Sequence, residues 1–255
     1  VRIGKAVILA AGKGKRLGGL SRYVPKPLVK VLNIPLILYV IAGFLRINVN
    51  KFHVVTNRFN YKRISELLSS MDIDVSYSIS YFPERGNGYS LLVAMENIDS
   101  DCFYLSMSDH IHAPSTYLEL YLKSADVESS IALCVDSNPK HTDINEATKV
   151  LIQSGKVISV GKNLKSFTHI DVGLFIFEKD IYPLFKEYCK QRYVVNLSDL
   201  VNYAIKCDIE VAPIELAGNP WIDVDTVRDL RRAEELARNF IDEVLSVLRL
   251  HGLQV

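Results

Sequence analysis

Residues 5–10, Lys-Ala-Val-Ile-Leu-Ala, form a strand-sized apolar run that empties directly into Ala11-Gly12-Lys13-Gly14-Lys15-Arg16-Leu17-Gly18. A buried strand ending in a glycine-rich, cation-loaded turn restricts the chain to folds in which a strand's carboxyl end opens onto a ligand site. Small residues let backbone N–H groups approach phosphate oxygens; a purely structural turn is the other reading of such a loop. Lys13, Lys15 and Arg16, with Pro25-Lys26-Pro27-Leu28 shortly after, favour phosphate. Prolines on both sides of Lys26 restrict the backbone and hold an otherwise flexible ammonium in place. A dinucleotide fingerprint is excluded, because Leu17 stands where the third glycine belongs and the next strand ends in Thr56-Asn57 without an acid for a ribose hydroxyl. No glycine is followed by Lys and then Ser or Thr at Walker spacing either.

Apolar segments at 52–56, 75–80, 102–107 and 130–135 alternate with helix-length stretches at 36–45, 61–70, 88–98 and 115–123. That alternation predicts a doubly wound α/β unit on a parallel, covered sheet. Beyond residue 138 the strands shorten to 149–153, 156–160 and 171–177, and Ser154-Gly155 predicts a tight turn between the first two, a β-hairpin insert beside the sheet. From Thr226, an available N-cap, Val227, Leu230, Ala233, Ala237, Phe240, Ile241, Val244 and Leu248 recur at helical spacing and predict one long C-terminal helix.

With 49% hydrophobic residues over 255 positions, the chain can bury a large core. No apolar run approaches the ~20 residues of a membrane span. With no secretory pattern at the N-terminus, the cytoplasm is the expected compartment. Cys102, Cys134, Cys189 and Cys207 lie far apart, mostly in apolar segments, and read as core residues rather than a zinc or disulfide framework. His110, His112, His141 and His169 lack metal spacing. The net charge of +1 hides an asymmetry: no Asp or Glu precedes Glu66, whereas thirteen Lys and Arg do. Such a segment attracts a polyanion. Without a basic helix or interleaved aromatics, a small polyphosphate fits better than a nucleic acid, and the cations after Arg46 read as a solvated face.

Two acidic positions complete the chemistry. Asp109 follows the run at 102–107, at the carboxyl edge where open α/β sheets place ligands. Asp223 and Asp225 precede the last helix. Carboxylates converging beside a phosphate loop call for a hard cation, Mg²⁺; Asp109 and Asp225 each also read as helix caps. An extended 221–225 would turn Asp223 and Asp225 to the same side, so spacing leaves the metal ligand open between them. Asp225, next to Thr226, has the competing occupation of meeting helix N-terminal amides.

Leu9-Ala10-Ala11-Gly12-x-Gly14-x-Arg16, Pro25-Lys26-Pro27-Leu28, Asp109 and Trp221-x-Asp223-x-x-Thr226, in this order, resemble the sugar-phosphate nucleotidyltransferase superfamily. Within it, Pro83-Glu84-Arg85-Gly86-Asn87-Gly88-Tyr89-Ser90-Leu91, Met107-Ser108-Asp109-His110, the segment Asp143 to Val150 and Trp221 to Thr226 look like CTP:inositol-1-phosphate cytidylyltransferases, over roughly residues 5–235. In two places the chain departs from the family pattern, with Pro27 where Gly is frequent and Asn145 for a common Asp. The resemblance implies a Rossmann-like nucleotidyltransferase fold in a single domain over residues 1–255. A nucleotide-binding half would occupy 1–137, an acceptor and metal half 138–225 and the helix 226–255. It also implies CDP-inositol formation, as in di-myo-inositol phosphate synthesis. A membrane-embedded CDP-alcohol phosphotransferase-type synthase is the functional partner it suggests, and a homodimer is admitted.

Carried over residue by residue, the resemblance implies catalysis by Arg16, Lys26, Asp109 and Asp223. Nucleotide contacts would come from Leu9, Ala10, Ala11, Gly12, Lys13, Gly14, Arg16, Lys26, Gly86, Asn87, Gly88, Ser90 and Asp109. The segment around Asn87 also reads as a glycine turn with Asn87 capping the helix from Gly88. Mg²⁺ would sit on Asp109 and Asp223, with Asp225 secondary. Asp143, Lys149, Lys162, Lys165 and Asp171 can grip an acceptor's phosphate and hydroxyls, and each equally reads as surface charge. The rival functions are an NDP-sugar pyrophosphorylase, a glycosyltransferase using Asp223-Val224-Asp225, and a non-catalytic nucleotide-binding subunit.

Overall fold

The computed structural model describes residues 3–12, 14 and 24–253. Its strands, in chain order, are β1 (Lys5–Ala10), β2 (Lys30–Val31), β3 (Ile34–Pro35), β4 (Lys51–Thr56), β5 (Asp74–Ile79), β6 (Cys102–Met107) and β7 (His110–His112). They continue with β8 (Ile131–Asp136), β9 (Lys149–Gln153), β10 (Lys156–Gly161), β11 (His169–Glu178), β12 (Val211–Glu215) and β13 (Trp221–Asp223). The helices are α1 (Leu36–Arg46), α2 (Tyr61–Leu68), α3 (Asn87–Asn97), α4 (Pro114–Ser124), α5 (Tyr182–Gln191), α6 (Leu197–Lys206), α7 (Val227–Ala237) and α8 (Ile241–Leu250).

Nine strands form one sheet with β1 in its interior, in the order β10-β9-β11-β6-β1-β4-β5, while β8 pairs with β11 and β12. The run β6-β1-β4-β5 is parallel, as the strand and helix alternation predicts. Long β11 then runs antiparallel to β6, β8 and β9, so the sheet changes character just beyond β6. The strands on either side of the β1/β6 boundary end on the same edge. That is the switch point where a crevice opens in doubly wound sheets.

Alternation along β1 divides the core. Ala6, Ile8 and Ala10 join one apolar layer with α1, α2, α4, α7 and α8, and Val7 and Leu9 join the other with α3, α5 and α6. The hairpin β9/β10 turns at Ser154 and Gly155, both at positive φ, the geometry a two-residue hairpin demands.

The C-terminal pattern differs from the single helix predicted. Thr226 caps α7 in a capping box with Asp229, but the helix ends at Ala237 and restarts as α8 after a turn at 238–240. Phe240, at φ −142, turns its ring into the core there, so burial is kept while the axis changes. Residues 178–220, to which the sequence patterns assign no element, supply α5, α6 and β12. Cys134 and Cys189 are buried, whereas Cys102 is half-buried and Cys207, at the end of α6, is exposed, so the core expectation fails for Cys207. None of the described helices is long and apolar enough to cross a membrane.

Candidate active site

Asp109 stands on the turn between β6 and β7, and the antiparallel register of β7 with β13 sets Asp223 opposite His110. Val224 donates its N–H to the Asp109 carbonyl at 3.0 Å and so ties the late acidic segment to this turn. Lys26, in the short 3₁₀ turn Lys26–Leu28, donates to Asp109 Oδ2 and to Asp225 Oδ1, the latter at 2.6 Å. Three segments more than eighty residues apart thus converge on one ammonium. Lys26 is only 9% exposed. Burial opposes its charge, yet Asp109 and Asp225 outweigh that cost and raise its pKa. Burial likewise opposes ionisation of Asp109, but Lys26 and His110 hold its carboxyl far below the usual range.

Asp223 is different. Among the described residues it has no ion pair or hydrogen bond to another side chain. Burial, with Asp225 and Asp109 nearby, raises its pKa despite the opposing field of His110. Burial also raises Asp171, to about 6, against the pull of its hydrogen bond from Gly173 N and of His110. No group of three His, Cys, Asp or Glu stands at metal-holding distance among the described residues. The carboxylates gathered here nevertheless suit a hard cation: oxygen ligands only, one of them, Asp223, under-neutralised.

Two cavities meet here. The smaller, about 100 Å³, is walled by Leu9, Ala11, Gly12, Lys26, Pro27, Pro83, Gly86, Asn87, Ser90, Met107, Ser108 and Asp109. The larger, about 410 Å³, includes Asp109, His110, Glu146, Thr148, Lys162, Asp171, Trp221, Asp223 and Asp225. Asn87, Met107 and Asp109 belong to both.

Most of the predicted site residues are thereby brought together. Ala10 and Gly88 do not line either cavity: the Ala10 side chain enters the core, and a Cβ on Gly88 would stand 2.6 Å from Asn196 O. Asn87 does not cap its own helix. It is the first residue of α3, and its Oδ1 accepts from Leu197 N at 2.9 Å, so it caps α6. Nor does the Asp225 carboxylate cap a helix; Thr226 and Asp229 do that, and Asp225 pairs with Lys26.

On the acceptor side, Lys162 and Asp171 line the larger cavity and Asp143 an adjoining one. Lys149 does not: it is buried, and its Nζ donates to the Lys162 carbonyl at 2.8 Å. Lys165 is exposed and outside these cavities. Lys13 and Arg16 lie outside the described residues, as does Lys15; Gly14 is described, at φ +61.

Several wall residues carry no motif. Segment 195–198 closes the far side, held by Val195 N to Arg85 O at 2.7 Å and by Arg85 Nη2, which donates to Cys189 O at 2.9 Å. Its one sequence signal is Asn196 with Asp199 three residues on, which forms a capping box at the start of α6.

The chain belongs to the nucleotidyl transferase family, whose sequence profile matches residues 5–239. It is 37% identical over 233 residues to a bifunctional IPC transferase and DIPP synthase of Archaeoglobus fulgidus, covering 91% of this chain and 44% of that protein. A protein of the same description from Aquifex aeolicus is 33% identical over 230 residues, covering 90% and 51%. The chain therefore spans about half the length of these curated relatives. The solved inositol-1-phosphate CTP transferase of T. maritima superposes with a TM-score of 0.84 at 24% identity, covering 93% of this chain and 97% of that one, a likeness of fold.

Proposed function

We propose that this chain is a cytidylyltransferase that forms CDP-inositol and pyrophosphate from CTP and inositol 1-phosphate. The observation that carries the reading is the junction at Asp109. A small cavity lined by Leu9, Ala11 and Gly12 and a larger one rich in carboxylates open on the same residue, beside a doubly paired lysine. Two substrates that must meet at one phosphorus need this arrangement. The relatives described as IPC transferases, and the T. maritima protein whose name gives inositol 1-phosphate and CTP, support the choice of acceptor and nucleotide.

A phosphate oxygen of the acceptor attacks the α-phosphorus of CTP. The new P–O bond forms as the bond to the β-phosphate breaks, and pyrophosphate leaves with the electron pair. Lys26, kept protonated by its carboxylates, neutralises charge on the α-phosphoryl oxygens. Arg16 takes the leaving pyrophosphate. Leu9, Ala11 and Gly12 hold the nucleotide with Gly86, Asn87 and Ser90. Asp171 and Glu146 accept acceptor hydroxyls, with Lys162 on its phosphate. Asp109 and Asp223 would hold Mg²⁺, with Asp225 beside them, and the ion would supply neutralisation of triphosphate charge. A membrane-embedded synthase would consume the CDP-inositol.

The test is a panel of four nucleoside triphosphates against inositol and hexose phosphates, read by pyrophosphate release with and without chelator. CTP with inositol 1-phosphate should be fastest and chelator-sensitive. Faster turnover of a hexose 1-phosphate would make the chain a sugar pyrophosphorylase, and nucleotide binding without any turnover would make it a regulatory subunit.

A further inference from the structure

The two oxygens of Asp109 have different partners: Oδ2 accepts from Lys26, and Oδ1 accepts from His110 Nδ1 at 2.9 Å. Side chains of neighbouring strand residues point to opposite faces, so this contact between residues 109 and 110 requires the turn that separates β6 from β7. The imidazole is fixed from two further directions. Its plane lies 2° from that of Trp221, with ring centroids 6.1 Å apart. Trp221 is itself fixed by an Nε1–H donated to Asp136 Oδ2 at 2.8 Å, and the fully buried Asp136 takes Asn138 N on its other oxygen at 2.8 Å. Against the ring lies Gly173, on the irregular stretch of β11 at φ +75; a Cβ there would stand 2.5 Å from His110 Cδ2 and 2.7 Å from Nε2. Any residue but glycine would displace the imidazole. This degree of confinement exceeds what a surface turn requires and leaves the ring one orientation from which to donate.

We propose that His110 is the positioning residue of Asp109: its Nδ1–H fixes one carboxylate oxygen and thereby turns the other toward Lys26 and the bound cation. The inference rests on the cation role given to Asp109 in the proposed function. Trp221 and Gly173 act one step further out, by keeping the ring in place.

Two substitutions separate donation from stacking. His110→Phe keeps a ring for Trp221 and loses the donor. His110→Asn loses the ring and keeps an amide nitrogen close to the place of Nδ1. Cation binding is followed by titrating Mn²⁺ into the full chain, with and without the non-reactive analogue α,β-methylene-CTP, and counting free Mn²⁺ by its EPR signal. Far-UV circular dichroism confirms that each variant is folded, and Trp221, the single tryptophan, reports on the site by its fluorescence. Outer partners of metal ligands are typically worth about 10–100-fold in metal affinity or activity. His110→Phe should bind Mn²⁺ weaker by that factor and lose kcat to a similar extent. His110→Asn should stay within about threefold of wild type, on the same scale.

Equal Mn²⁺ affinity in His110→Phe and wild type overturns the proposal. So does a His110→Asn variant as impaired as His110→Phe, which would leave stacking as the role, and so does a wild-type chain that binds no Mn²⁺. The functional reading fails separately: a wild type that binds Mn²⁺ but turns over nothing in the substrate panel removes the activity, while the comparison of the two variants still decides the role of His110.

Discussion

The cavity on the parallel side of Asp109 is walled by Leu9, Ala11, Gly12, Gly86 and Ser90, whereas the cavity on the antiparallel side is walled by Glu146, Lys162, Asp171 and Asp223. Apart from Lys26 and Asp109 the first is lined by backbone and uncharged side chains, whereas the second gathers further ionisable ones. Peptide groups recognise a ligand through fixed geometry, which substitution disturbs mainly by steric intrusion. Side-chain carboxylates recognise it through charge and hydrogen bonds, which substitution removes without disturbing the frame. The two halves should therefore fail in different ways when mutated.

The largest effect is expected where they join. Lys26 pairs with both carboxylates and, in the proposed mechanism, meets the reacting phosphorus, so Lys26→Met should lower kcat for pyrophosphate release by about 10²–10³-fold, the usual cost of one preorganised electrostatic group. Turnover within about threefold of wild type would remove the role assigned to Lys26.

Next come the glycines of the parallel side. A Cβ at Gly88 meets the carbonyls of Asn196 and Val195 at 2.6 and 2.9 Å, both backbone atoms that cannot swing aside. Overpacking of this kind costs about 1–3 kcal/mol. Gly88→Ala should therefore lower the thermal midpoint by roughly 3–10 °C, readable by calorimetry. An unchanged midpoint together with a raised KM for CTP would show instead that Gly88 serves the nucleotide directly.

On the antiparallel side, Asp171→Asn should raise the acceptor KM by about tenfold, the loss of one charged hydrogen bond, and leave the KM for CTP alone. Stability should move the other way. The folded pKa of about 6 lies above the ordinary carboxylate value, so the folded chain holds this proton more tightly than the unfolded chain. Stability from this group is full below about pH 4 and is lost as pH rises toward 6. Above that, the ionised carboxylate costs about 1–3 kcal/mol. Asp171→Asn should thus be the more stable protein at pH 7.5 in urea denaturation. A variant that is both less stable and unchanged in KM would break the contrast between the two cavities.

The same division explains how much could be read from the sequence. The parallel side was legible, because a strand, a glycine loop and Pro25-Lys26-Pro27 are local signals, and Asp109 follows its strand within two residues. The antiparallel side was legible only in its acids. Lys149 carried the same charge as Lys162, but in the structure its ammonium is spent on the Lys162 carbonyl, which no local pattern reports. Asn87 lines both cavities, and only the capping read for it on its own helix differs, for a related reason: its side chain caps α6, 110 residues away. The broken C-terminal helix kept one unbroken apolar stripe, since Phe240 stays in register through the turn, and periodicity alone registers no bend.

The smallest expected effect lies on the parallel side, away from the cavities. His53 on β4 is 2% exposed, with Nδ1 at 2.8 Å from Ser76 Oγ and Nε2 at 2.9 Å from Ser78 Oγ. Hydroxyls can satisfy a neutral imidazole as both donor and acceptor, whereas a charged one would have to donate twice inside the sheet. Burial, reinforced by Lys5 and opposed by Asp99, pushes its pKa down to about 4. The unfolded chain takes up this proton near pH 6.5 and the folded chain does not, so stability is lost as pH falls from about 6.5 to about 4. Between pH 7 and pH 6 the loss should be about 0.7 kcal/mol. Asp171 titrates in a neighbouring range and His110 has a raised pKa, but both are common to wild type and His53→Gln. The difference between those two proteins in urea unfolding free energy, measured at both pH values, isolates His53. A difference that does not change with pH would mean that the imidazole takes up its proton as readily in the folded sheet as in the unfolded chain.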